Sequence, residues 1–215
     1  MNKIILLLLI ITVSSCVIPV NLNYETAEIR KKGDVAFTGS VSHQLVEPFA
    51  LKDTSWLPKQ LGFGARMDIG VGERTNLSFR YENSFLTYDI RQHFIECQLK
   101  FALGKHYFEN EKVKVALGIP MQFYIYEGYE AYILNPRLYF TFFTTSPNVR
   151  FTIIPKMYII YDNYFIAEYV EHPVPGAGIS FNCAFSSNLE KWAIVPELGF
   201  LGSSLSFGCG FVCKF

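Results

Sequence analysis

Apolar and polar residues alternate along most of the chain, in stretches of about ten residues separated by short polar breaks that carry glycine or proline. In the clearest stretch, residues 61–71, an apolar residue stands at nearly every second position, with glycine, arginine or aspartate between. A period of two is that of a β-strand, because successive side chains point to opposite faces. No long helical period interrupts the pattern. The sequence therefore predicts an all-β fold.

The alternating stretches are numerous enough to close a barrel. They cover residues 35–41, 61–72, 77–82, 93–103, 113–123, 134–142, 151–159, 177–185, 192–198 and 205–215. An even count of about ten, within a range of about eight to ten, returns the chain to the side where it began, as in bacterial single-chain barrels. We therefore expect a single antiparallel up-and-down β-barrel over residues 33–215. Five prolines weaken individual registers, since each removes a ladder donor: Pro120, Pro136, Pro155, Pro175 and Pro196.

The polar face of these strands is expected to line the barrel interior. It consists largely of Gly, Ser and Ala with scattered ions, whereas the other face carries almost no charge. A lysine or arginine facing mid-bilayer lipid costs about 2–4 kcal/mol, so an uncharged exterior is typical of a membrane barrel. The predicted lumen charge network consists of Arg66, Asp68, Arg80, Glu82, Glu96, Lys100, Arg137, Lys156 and Glu197. Three pairs are expected to form inside a narrow lumen: Arg66 with Asp68, Arg80 with Glu82, and Glu96 with Lys100.

The N-terminal residues are typical of an export signal. Lys3 gives a basic start, residues 4–13 form an apolar stretch, and Ser14 and Ser15 precede Cys16. The stretch is too short to span a bilayer, which needs about 20 apolar residues. Small residues before a cysteine resemble the lipobox of bacterial lipoproteins, which implies lipidation at Cys16. We expect a signal peptide at residues 1–15 and a lipidated tether at residues 16–32. An ordinary signal peptide with an incidental cysteine is the alternative.

Composition supports a membrane protein and argues against other partners. Aromatic residues make up 16% of the chain, which is usual for a protein with aromatic belts at the membrane interfaces. The 19 basic and 19 acidic residues balance, so nothing suggests a nucleic-acid partner. Four further cysteines are interpreted as small apolar residues rather than a disulfide framework: Cys97, Cys183, Cys209 and Cys213.

The final strand ends in Phe215, with apolar residues at alternate positions before it. This ending resembles the C-terminal signal by which outer-membrane barrels are handed to the assembly machinery. Together with Cys16 and the charged segment at residues 28–34, the mature chain resembles small, mostly uncharacterised barrel lipoproteins of some Gram-negative bacteria. The resemblance implies a lipid-anchored barrel in the outer membrane, with bilayer lipid and the assembly machinery as partners. It carries no catalytic residues.

No phosphate loop, zinc spacing or nucleophile elbow occurs in the sequence, so no enzyme, cofactor or metal site is predicted. His172 stands near Asp162, Glu168 and Glu171, but a solvated acidic loop explains this group better than an acid–base site. Aromatic residues in two long loops, residues 45–59 and 162–172, are the candidate binding residues, because loops on a rigid scaffold carry recognition. They are Phe49, Trp56, Tyr164, Phe165 and Tyr169.

Several functions remain compatible with this pattern. A structural or surface-interaction barrel is favoured, because side chains mostly fill barrels of about eight to ten strands. A narrow channel is the first alternative, with a mild anion preference because five basic lumen residues face four acidic ones. An outer-membrane enzyme is the second. The third is a soluble, lipid-anchored barrel that carries an apolar ligand, as lipocalins do; it would place the apolar face inside.

Overall fold

The computed structural model describes residues 22–45, 59–86, 90–103, 112–126, 129–162, 174–201 and 204–215. Its regular elements are the strands β1 (Val35–Leu45), β2 (Lys59–Gly72), β3 (Thr75–Leu86), β4 (Ile90–Ala102), β5 (Val113–Tyr126), β6 (Tyr129–Leu134), β7 (Arg137–Phe143), β8 (Val149–Asp162), β9 (Val174–Phe185), β10 (Trp192–Leu201) and β11 (Ser204–Lys214). No helix in the described part of the chain is long and apolar enough to cross a membrane.

The strands form one closed antiparallel sheet. Except for β6 and β7, consecutive strands pair with each other, and β1 also pairs with β11, from Ala36 opposite Lys214 to Leu45 opposite Leu205. β6 and β7 lie end to end, since both pair with β5 on one side and with β8 on the other. Eleven strands therefore occupy ten positions around the ring. The expected up-and-down barrel of about ten strands is confirmed.

The break between β6 and β7 falls at Asn135 and Pro136. The backbone ladder continues across it, because the Asn135 N–H donates to the Pro120 carbonyl at 3.2 Å and the Met157 N–H donates to the Pro136 carbonyl at 3.0 Å. The other four prolines lie within strands β5, β8, β9 and β10. Proline thus perturbs the ladder locally and leaves the barrel closed.

The two faces of the sheet differ as the sequence predicts. Outward side chains are large and apolar, and many are about half exposed, such as Phe63 (48%), Phe79 (44%) and Met121 (56%). Inward side chains are buried, and in the middle of the barrel they are mostly polar or charged. A lipocalin-type carrier needs the apolar face inside. The expectation of an apolar interior, which belonged to that alternative, is therefore wrong for this chain.

The barrel has two different ends. At the terminal end the chain enters β1 and leaves β11, and the turns at residues 73–74, 144–148 and 186–191 join strands there. Val35 and Phe215 exchange two backbone hydrogen bonds, of 3.1 and 2.8 Å, which close the seam. At the loop end β1 leads to β2, and β8 leads to β9.

Candidate functional site

Residues 22–30 lie inside the barrel, and Lys31 and Lys32 are exposed at its end. They precede β1 in sequence and form no regular secondary structure. Leu22 and Asn23 are each 1% exposed, and Tyr24 and Glu25 are also buried. The sequence assigns these residues to a tether, whereas the structure places them in the lumen. We call residues 22–32 the plug segment.

The plug segment rises from the terminal end of the barrel to its middle. Near the terminal end, the Arg30 N–H donates to Asn76 Oδ1 at 3.0 Å, and Asn76 is the second residue of β3. Farther in, the Asn23 N–H donates to Glu197 Oε1 at 2.9 Å, and Glu197 is the sixth of ten residues in β10. The plug segment therefore extends through the lumen from the terminal end to mid-height.

Side chains of the strands satisfy the backbone of the plug segment. A buried backbone polar group without a partner costs free energy comparable to a lost hydrogen bond, so an irregular segment needs such partners. The N–H of Ala27 donates to Thr141 Oγ1 at 2.7 Å. The carbonyl of Glu25 accepts from Asn182 Nδ2 at 2.7 Å, and that of Thr26 accepts from Lys100 Nζ at 3.1 Å. The lumen is thus shaped to hold this chain.

The carboxylate of Glu25 is the centre of the site. Its Oε1 accepts from Arg66 Nη2 and, at 3.1 Å, from Lys100 Nζ. Its Oε2 accepts from Gln98 Nε2 at 3.2 Å and from the Tyr139 hydroxyl. Three strand positions of the ring, those of β2, β4 and β7, supply these donors. One carboxylate of the plug segment is therefore surrounded by four donors of the barrel wall.

All nine residues assigned to the lumen charge network are buried. Arg66 Nε donates to Asp68 Oδ1 at 2.8 Å, and Arg80 pairs with Glu82, as expected. Lys100 pairs with Glu25 and not with Glu96, so the third expected pair is wrong. The physical reason for the difference is that the plug segment places the carboxylate of Glu25 beside Lys100, and the strand pattern does not include Glu25. The contacts of Glu96 are with Arg137, with Gln122 at 2.7 Å and with Arg66 at 3.9 Å.

The buried charges balance only when the plug segment is counted. Among the described strand residues, the buried charged side chains are five cations and four carboxylates, and Glu25 is the fifth buried carboxylate. A buried charge without a counterion is strongly unfavourable. The plug segment therefore completes the electrostatics of the lumen as well as its packing.

Glycines of β11 make room for Tyr24. A Cβ atom on Gly208 would lie 2.1 Å from the Tyr24 hydroxyl oxygen, and one on Gly210 would lie 2.8 Å from Tyr24 Cβ. Tyr24 has a φ of 54°, a left-handed conformation that is uncommon for a residue with a side chain. Its hydroxyl donates to the Val41 carbonyl at 3.0 Å. The wall and the plug segment fit each other at this point.

The lumen beyond Leu22, toward the loop end, has a different lining. A buried apolar cluster occupies it, formed by Phe94, Tyr124, Ala131, Ile133, Tyr158, Ile160 and Leu201. Nearer the loop end, Gln60 Nε2 donates to Gln92 Oε1 at 2.6 Å. The inward face predicted as small and charged is thus apolar and aromatic in this part.

A cavity of about 410 Å³ lies beside the plug segment at the terminal end. Its lining includes Glu25 and Lys100 at the inner side, and Asp34, Arg150 and Lys214 near the rim. Glu28 pairs with Arg150 and lies 3.7 Å from Lys114. Glu25 and Lys100 thus line the same cavity as residues of the rim.

The remaining sequence-predicted sites lie elsewhere. Cys16 and the loop residues lie outside the described residues: Phe49, Trp56, Tyr164, Phe165 and Tyr169, as well as Glu168, Glu171 and His172. The described residues contain no group of three or more His, Cys, Asp or Glu side chains able to hold a metal ion. Cys97, Cys183, Cys209 and Cys213 are free thiols. Phe215 is 77% exposed on the barrel exterior.

Comparisons with known proteins support the fold. No protein-family model and no curated protein matches the chain. A crystal structure of an outer membrane channel from Pseudomonas putida F1 has a TM-score of 0.55 and 8% identity, covering 90% of this chain and 100% of that chain. The β domain of the Bordetella autotransporter Brka has a TM-score of 0.43 and 10% identity, covering 84% and 98%. The likeness to the channel shows that this chain has the fold of outer-membrane β-barrels.

Proposed function

We propose that the protein is a lipid-anchored outer-membrane barrel of structural or surface-interaction type, and that its own plug segment closes the lumen. The observation that carries the proposal is the burial of residues 22–25 at mid-height, with their backbone bonded to the wall. A barrel of this size has little free interior, and a polypeptide segment inside it leaves no wide path for ions. The proposal assigns no catalysis to the chain.

Conductance in planar lipid bilayers tests closure. The purified wild-type barrel should give no large steady current. A variant in which Gly-Ser residues replace residues 22–32, at the same length, should conduct, because the bonds between the plug segment and the wall are lost. A large steady current from the wild type would contradict the closed barrel. If neither protein gave a steady current, the strand side chains alone would close the lumen.

A channel that conducts when the plug segment leaves is the second candidate. The favouring observation is the set of five lumen cations around four strand carboxylates, which leaves the emptied lumen net positive. A reversal potential measured across a KCl gradient on the Gly-Ser variant distinguishes the candidates. Anion preference with a large unit current supports the channel, whereas small irregular currents support the structural barrel.

The lipid anchor is a separate part of the proposal. Cys16 stands six positions before Leu22, so an extended chain between them spans at most about 20 Å. Replacing it, Cys16→Ser, should abolish incorporation of labelled palmitate and leave an unprocessed or differently cleaved precursor. Cys209→Ser, which removes an exposed exterior thiol, is the matched control and should retain the label. Unchanged labelling of the Cys16 variant would refute the anchor.

Surface interaction is assigned to the two long loops, and assembly to the last strand. Phe49, Trp56, Tyr164, Phe165 and Tyr169 are the proposed contact residues, since aromatic side chains are enriched at protein interfaces. Removing both loops should abolish capture of any partner that the intact protein retains in a pull-down. Deleting Phe215 should reduce the amount of assembled, heat-modifiable barrel in cells.

A further inference from the structure

We propose that Arg66, Gln98, Lys100 and Tyr139 form a binding site for a small carboxylate anion, a site that Glu25 fills in this structure. The inference rests on the closed barrel proposed above. It goes beyond closure, because it assigns the barrel wall a ligand chemistry of its own.

The donors match a carboxylate in number and placement. Oε1 of Glu25 accepts from Arg66, Lys100 and, at 3.4 Å, Gln98, and Oε2 accepts from Gln98 and Tyr139. An ionised carboxylate accepts through both oxygens, and hydrogen bonds from charged donors are roughly twice as strong as neutral ones. The four side chains belong to the strands, so the site stays on the wall when Glu25 is removed.

The charge of the wall favours an anion at this position. The strands bury one more cation than carboxylate among the described residues, and Glu25 makes the balance. Without Glu25, Lys100 loses its carboxylate partner, while Arg66 keeps Asp68 at 2.8 Å. A free carboxylate of one negative charge restores the balance, whereas a neutral or cationic solute does not.

Small solutes have a route to the site. The cavity of about 410 Å³ at the terminal end is lined by both Glu25 and Lys100. Its rim carries basic side chains, those of Lys31, Arg150 and Lys214, together with the acidic side chains of Glu28, Asp34 and Glu190. A monocarboxylate such as acetate is far smaller than this volume, and Lys100 is one of the residues that line the cavity. The cavity therefore admits small monocarboxylates, and the four donors match a single carboxylate group.

Acetate rescue of a Glu25→Ala variant tests the site. The full-length variant, purified in detergent, is melted in potassium acetate and in potassium chloride at equal ionic strength. Acetate at several times its Kd should raise the Tm saturably by about 2–4 °C relative to chloride. The wild type should show no such difference, because Glu25 occupies the site. Equal Tm values for the variant in the two salts would overturn the proposal.

Three controls isolate the site. Glu28→Ala removes a carboxylate at the cavity rim, where its side chain is 21% exposed, and should not respond to acetate. Glu25→Gln keeps the side chain in place and should also not respond. Adding Lys100→Met to Glu25→Ala should abolish the acetate effect. A response that persists without Lys100 would refute the assignment.

Two further outcomes are informative. If Glu25→Ala does not fold in chloride, refolding in acetate becomes the readout, followed by heat-modifiable gel mobility, and failure in both salts overturns the proposal. A conducting wild type would contradict the closed barrel only, whereas an acetate-insensitive Glu25→Ala variant contradicts the anion site only.

Discussion

At the scale of single residues, two glycines decide whether the plug segment fits. Gly210→Ala places a Cβ 2.8–3.1 Å from three atoms of Tyr24, two of them in its ring, which is closer than ordinary packing. Overpacking of this kind costs about 1–3 kcal/mol. We expect a lower Tm in detergent and intermittent current in planar bilayers. The matched control is Gly39→Ala on the neighbouring strand, where nothing lies within 4 Å. Equal Tm values and equal currents for the two variants would contradict a close fit between Gly210 and Tyr24.

The sequence predicts the buried charges of the wall but not the carboxylate that pairs with them. All nine lumen charges are identifiable because each stands at an alternate position of a strand. Glu25 is not, because no period surrounds it. One signal was present: five cations facing four carboxylates leave one positive charge unbalanced, which calls for a carboxylate from outside the strands. Electroneutrality thus points to a plug segment where pattern does not.

At the scale of the strand, the two faces should tolerate a new charge to different degrees. Ile119 and Gln122 lie three residues apart in β5, facing outward and inward, with exposures of 42% and 1%. Ile119→Lys places a charge against lipid at a cost of about 2–4 kcal/mol near mid-bilayer. Gln122→Lys places the same charge beside Glu96, which Gln122 already contacts at 2.7 Å.

We expect little assembled barrel for Ile119→Lys and a smaller loss for Gln122→Lys, because the new ammonium lies beside Glu96 but adds a sixth cation to a balanced lumen. Heat-modifiable mobility of membrane fractions measures both. Equal loss in the two variants would mean that the lumen does not tolerate a further charge, and equal tolerance would mean that β5 does not face lipid.

Strands are predictable from sequence in a way that the plug segment is not. Alternation is local, and the pairing that it implies joins consecutive strands. The plug segment has no such repeat, and its partners are distant: Asn23 and Glu197 are 174 positions apart.

The apolar lumen cluster is not predicted from the sequence for another reason. Phe94 and Ile133 are apolar residues on the inward face, where the pattern predicts polar ones.

At the scale of the whole molecule, the structure separates closure of the lumen from the loops. The plug segment lies between mid-height and the terminal end of the barrel, whereas residues 46–58 and 163–173 connect strands at the loop end. The ring of strand pairs and the bonds to the plug segment lie within the described residues, outside both loops. A shorter loop also has a smaller entropic cost of closure, so shortening the loops does not oppose folding.

Replacing both loops with short Gly-Ser turns should therefore leave a folded, heat-modifiable barrel that still gives no large steady current. The same loop-less barrel should conduct once residues 22–32 are also replaced by a Gly-Ser segment of equal length. Planar bilayer recordings of the two proteins, made side by side, measure the difference. A steady current from the first protein would place the closure in the loops. If the second protein gave no current, the wall itself would close the lumen, and the apolar cluster around Phe94 would be the barrier.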